Sequence, residues 1–115
     1  MEIKVLKNAG DIYLVELSGS LDLYSSNQLK ELVMNMVNNK VQRIILNLKN
    51  VDSVNSAGIG ALIYVSSTLK KLNCPLALIV PEGPVMNALE VTRIKAYFSI
   101  APTLRGAVSL ISRHG

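Results

Sequence analysis

Ile44-Ile45-Leu46-Asn47-Leu48, followed by Val54-Asn55-Ser56-Ala57-Gly58-Ile59-Gly60-Ala61-Leu62, decides how this chain folds. The first stretch is apolar and rich in β-branched residues, the mark of a central, largely buried strand. The second opens a helix with a serine at its start. Backbone N–H groups there lack intrahelical partners and the helix dipole favours negative charge, so a phosphate at Ser56 is electrostatically welcome. Serine is also among the commonest N-cap residues, and plain capping is the competing reading of the same hydroxyl.

Outward from this pair, the pattern predicts alternating elements. Strands at about 3–6 and 12–17, joined by the turn-forming Asn8-Ala9-Gly10-Asp11, make an antiparallel hairpin. Ser25 and Gln28 stand in a capping-box relation ahead of Leu29, Leu32, Val33, Met36 and Val37 at helical spacing, with Asn38-Asn39 closing that helix. A strand is expected over 41–48. The second helix should run from about Ala57 to Leu72, with Gly58, Leu62, Val65, Leu69 and Leu72 on its core face. Ser56, Gly60, Ile63 and Ser67 then form an outward stripe, where a glycine lets another backbone approach closely and the isoleucine suggests docking.

Pro75 to Val80 reads as another buried strand, and Pro84 starts a short helix ending near Thr92. A short strand is expected around Tyr97 to Ile100, then a last helix with Leu104, Ala107, Val108 and Ile111 on its apolar face. The whole predicts an α/β fold: a mixed sheet opened by an N-terminal hairpin and covered by about four helices.

The 115 residues, half of them hydrophobic, suit one domain spanning 1–115. No signal pattern opens the sequence and no apolar run approaches a bilayer span, so a cytoplasmic protein without membrane contact is expected. The net charge of +4 is spread along the chain apart from Lys70-Lys71, and four tyrosines, one phenylalanine and no tryptophan leave little for base stacking. Nucleic acid is therefore not an expected partner. His114 is the only histidine and Cys74 the only cysteine, too few for a Ser-His-Asp triad, a disulfide or a metal cage; Cys74 reads as structural. Gly58-Ile59-Gly60 hints at a dinucleotide loop, but Ile63 takes the third glycine position of that motif and no Walker-type sequence occurs.

Two motifs give the chain a resemblance to the STAS domain family, and within it to bacterial anti-sigma factor antagonists. Gly19-Ser20-Leu21-Asp22 is similar to the family's Gly-x-Leu/Ile-Asp signature. Leu46-Asn47-Leu48 through Asn55-Ser56-Ala57-Gly58-Ile59-Gly60 resembles its strand, acidic-Ser-Ser/Thr/Ala-Gly turn and helix start. The resemblance implies that Ser56 is the phosphoacceptor of an anti-sigma factor that doubles as a serine kinase. The unmodified chain would bind that kinase, and a metal-dependent serine phosphatase would reset the switch. Asp22 and Asn55 would line the site, and Gly58 and Gly60 would shape the turn. The chain would then be a substrate and partner rather than an enzyme, with no cofactor.

Asn55 departs from the family pattern, in which an aspartate usually precedes the serine, and so removes a negative charge. Ala57 replaces a frequent second hydroxyl. Ser53, the nearest other hydroxyl, reads as a loop residue. A STAS binding module of a signalling scaffold or chemosensory complex, with Ser56 only a cap, is the alternative. A transporter's regulatory domain fits less well, because the sequence shows no adjoining membrane segment.

Overall fold

The computed structural model describes residues 1–7 and 10–112, so part of the expected Asn8-Ala9-Gly10-Asp11 turn and the lone histidine, His114, lie outside the described residues. Five strands form one mixed sheet: β1 (Glu2–Lys7), β2 (Ile12–Leu21), β3 (Arg43–Val54), β4 (Leu76–Ile79) and β5 (Ile100–Ala101). They lie side by side in chain order. β1 pairs antiparallel with β2, as the hairpin reading requires, and the remaining neighbours are parallel.

Each parallel pair is joined by a helix: α1 (Leu23–Asn38), α2 (Ser56–Lys71) and α3 (Pro84–Val91). A right-handed crossover between strands laid down in one direction puts every helix on the same face. Leu29, Val33 and Met36 of α1, Leu62, Val65 and Leu69 of α2, and Val85, Met86 and Leu89 of α3 accordingly share one core with Val15, Ile44, Leu46 and Leu78. The alternate strand residues Ile12, Leu14, Ile45, Ala77 and Ile79 point the other way, where α4 (Leu104–Ser112) covers them with Ala107 and Ile111. β3 is thus buried on both faces, which is why its central run is continuously apolar.

Several expected boundaries shift for identifiable reasons. Helix α1 starts at Leu23, capped by Asp22, rather than at Ser25: the Asp22 carboxylate accepts from Ser25 N and Ser25 stands at the third helical position of the box. β3 extends to Val54 because the tail of β2 keeps pairing with it, through Ser20↔Ser53 and Leu21↔Val54, so Ser53 is a strand residue and not a loop residue. Leu72 is the C-cap of α2 and 49% exposed, beyond the last turn that faces the core. Leu104, the first residue of α4, is also exposed. Where a strand was expected over 97–100, a 3-10 turn covers Lys95–Tyr97 and β5 begins only at Ile100. Cys74 is buried and free, with its thiol pKa raised by desolvation, in keeping with a structural role.

Candidate functional site

The parallel register of β2 and β3 builds the site. Leu21 lies opposite Val54, so the next residues, Asp22 and Asn55, leave the sheet side by side, each as the N-cap of its helix. The two junctions are tied by Asn55 N–H donating to the Leu21 carbonyl at 3.3 Å. The N-termini of α1 and α2 therefore open at the same end of the sheet, the carboxyl end of its parallel strands, where open α/β sheets hold their ligands.

At the first junction, Asp22 Oδ1 accepts from Ser25 N at 3.1 Å, and Asp22 N donates to Ser25 Oγ at 2.9 Å. The buried Ser25 hydroxyl also donates to the Ser20 carbonyl at 2.8 Å. The backbone N–H of Ser25, then its hydroxyl, hold the Asp22 carboxyl below its ordinary pKa. Asp22 is exposed, and with its pKa lowered it is ionised at the positive end of α1. In the sequence Ser25 stands out only as the cap of a box with Gln28, whereas in the structure Asp22 is the cap and Ser25 the third helical residue of the box.

At the second junction the cap is Asn55. Its Oδ1 accepts from Gly58 N at 3.1 Å. Ser56 is the first helical residue and is exposed, which corrects the reading of Ser56 as the cap: the amide one residue earlier takes that role and leaves the serine hydroxyl uncommitted to it. Gly58 is buried here, and a Cβ on it would stand 2.4 Å from the Leu21 carbonyl oxygen and 2.7 Å from Val54 Cγ2. Gly60 is exposed, with nothing within 4 Å of such a Cβ.

Along α2 the outward stripe is only partly outward. Ser56 and Gly60 are exposed, whereas Ile63 is half-buried and packs against the main core. Ser67 is half-buried too and shares a hydrogen bond with the Tyr97 hydroxyl, delivered by the 3-10 turn. Tyr97 was invisible as a neighbour of this stripe because a strand was expected there. Tyr64, exposed beside the stripe, has Lys30 Nζ of α1 5.1 Å from its ring centroid. Close by, Ser53 Oγ donates to Ser20 Oγ at 2.9 Å. Among the described residues no three His, Cys, Asp or Glu side chains converge to hold a metal ion, and no helix is long and apolar enough to cross a membrane.

A fold with an antiparallel edge hairpin, three crossover helices on one face and this paired-cap junction defines a class. The sequence profile of the STAS domain matches residues 4–107, and the chain belongs to that family. Solved structures share its fold. An anti-sigma factor antagonist from Mycobacterium paratuberculosis superposes with a TM-score of 0.84 at 18% identity, covering 97% of this chain and 96% of the other. A Thermotoga maritima protein proposed to be an anti-sigma factor antagonist gives 0.83 at 20% identity, with 97% and 94% covered. The Bacillus cell fate determinant SpoIIAA in its phosphorylated form gives 0.69 at 16% identity, with 94% and 97% covered.

Proposed function

We propose that this chain is an anti-sigma factor antagonist that works by partner switching at Ser56. The unphosphorylated form binds an anti-sigma factor with serine kinase activity; phosphorylation of Ser56 releases it, and a metal-dependent serine phosphatase restores the binding form. The observation that carries this reading is the division of labour at the start of α2. Asn55 makes the capping bond, so Ser56 stands exposed at a helix N-terminus with a hydroxyl the fold does not need. SpoIIAA, whose fold this chain shares, is known in a phosphorylated form.

Ser56 Oγ bonds to the γ-phosphorus of ATP, the bond to the ADP oxygen breaks, and the hydroxyl proton passes to a base on the kinase. The product carries about 1.5 to 2 negative charges, which the α2 N-terminus stabilises, so the fold survives. The partner meets a different surface. An interface closed over a small hydroxyl and a bare Gly60 must now desolvate a dianion beside ionised Asp22, and affinity falls. A loss of about 1.4 kcal/mol weakens binding tenfold.

Incubation with the cognate kinase and ATP, followed by peptide mapping, tests the assignment. Phosphate on Ser56, absent from Ser56→Ala, is the expected result. Modification of Ser53 or Thr68 with Ser56 untouched overturns it, and a chain that binds its partner without modification anywhere is the scaffold module instead.

A further inference from the structure

The two edges of the sheet are unlike. β5 is two residues long and packs against α4, whereas β1 is a six-residue strand bonded on one side to β2, with no strand on its other side among the described residues. An edge of that length presents a row of outward N–H and C=O groups able to pair with another strand. Its apolar side chains are not withdrawn from solvent either: Val5 is 42% exposed. On the α1 side, Ile3 and Val5 line an open groove of about 330 Å³ with Leu32, Gln28, Glu31 and Asn35. On the other side, α4 packs on β3, β4 and β5, and Glu2 and Lys4 are exposed.

The charge pattern of β1, Glu2-Ile3-Lys4-Val5-Leu6-Lys7, selects what can pair with it. Two copies of one strand pair antiparallel about an axis normal to the sheet, so residues that face each other lie on the same side of it. A pairing centred on Lys4 sets that lysine against itself. One centred on Val5 sets Ile3 opposite Lys7 and Lys4 opposite Leu6, mixing charge with apolar surface. One centred on Ile3 sets Glu2 of each copy opposite Lys4 of the other, with Ile3 against Ile3 on the groove side and Val5 against Met1, which precedes the strand. Opposite charges and apolar pairs directly across a ladder are favourable, and like charges are not.

We propose that β1 is the seam of a homodimer, in which a second copy of this chain adds its own β1 antiparallel, centred on Ile3, to make a continuous ten-stranded sheet. The occupant is another copy because the strand is charge-complementary to itself in that register. A mid-strand lysine that blocks indiscriminate pairing at an edge becomes, opposite Glu2, the residue that fixes the register. The Ser56 end of α2 follows β3, the third strand in from this edge.

Sedimentation equilibrium on the whole chain tests the seam with charge reversals at exposed positions. The wild type should be a dimer. Glu2→Lys alone and Lys4→Glu alone should each weaken self-association by about tenfold or more, because both create like-charge pairs. An equimolar mixture of the two single variants should associate as a heterodimer, and the double variant should dimerise like wild type. Circular dichroism verifies that each variant is folded. A wild type that stays monomeric at every concentration, single variants that dimerise unchanged, or a mixture no more associated than its components would overturn the proposal.

Discussion

The carbonyl oxygen of Leu21 occupies the space that a side chain on Gly58 would need, 2.4 Å from the position of its Cβ. The first turn of α2 is thus packed directly onto the junction between β2 and α1, and the two N-caps keep their spacing through that contact. Gly58→Ala should cost about 1–3 kcal/mol, as overpacking of a close contact does, because the opposing atom is backbone and cannot rotate away. Urea denaturation measures it. Unchanged stability would mean that the junction yields, and with it the spacing of Asp22 and Asn55.

Gly60, two residues on, should behave oppositely. Open space surrounds it, so Gly60→Ala should raise stability by about 0.5–1 kcal/mol through helix propensity alone. Gly60→Gln should also fold, yet weaken kinase binding by about tenfold if a partner backbone approaches here, a loss near 1.4 kcal/mol. Wild-type affinity for Gly60→Gln, measured by calorimetry, removes Gly60 from the docking surface.

These two glycines show how far the sequence could be read. Periodicity placed Leu62, Val65 and Leu69 on the core face of α2 because burial follows the 100° step, and the apolar run of β3 announced a central, buried strand, which the structure covers on both sides. Ends were harder. Asp22 and Ser25, three residues apart, and Asn55 and Ser56, adjacent, are pairs of similar capping propensity, and only the register between β2 and β3 decides which stands at the edge of the sheet. Ile63 looked outward by phase, but the core beneath α2 is broad enough to hold half of it, and Tyr97 reaches Ser67 across a turn that no local pattern marks.

Because Asn55 is the cap, Asn55 and Ser56 should separate by stability. Asn55→Ala loses the bond to Gly58 N and should cost about 0.5–2 kcal/mol. Ser56→Ala should stay within about 0.5 kcal/mol of wild type, as surface changes away from such features do. Thermal denaturation of the pair decides it, and the reverse order would return the capping role to Ser56.

Asp22 offers a pH signature. The Ser25 backbone N–H and hydroxyl depress its pKa below the ordinary 3.8. With the folded value lower than the unfolded one, the stabilisation is fully present above pH 3.8 and is lost as pH falls through the depressed folded value. An NMR titration of the Asp22 carboxyl should therefore give a midpoint below 3.8, and Ser25→Ala should move it upward. A midpoint at or above 3.8 in the wild type would mean that the capping box does not hold the ionised form.

The residue that caps α2 also immediately precedes the proposed phosphoacceptor, so Asn55→Asp tests the switch without disturbing the fold. Aspartate is nearly isosteric with asparagine and caps about as well, accepting from Gly58 N in the same place. The new charge lies beside the Ser56 hydroxyl and at the positive end of α2, where it is stabilised. If a carboxylate there orients the hydroxyl or meets a cation on the kinase, Asn55→Asp should be phosphorylated faster, by about tenfold for a barrier lowered by 1.4 kcal/mol. The initial rates of both forms at equal concentration measure this, with circular dichroism showing that each is folded. A slower variant would mean that the kinase of this system is matched to asparagine, since added charge then opposes the approach of ATP phosphates next to Asp22. Equal rates would show that residue 55 acts on phosphorylation only through the cap, which both side chains provide.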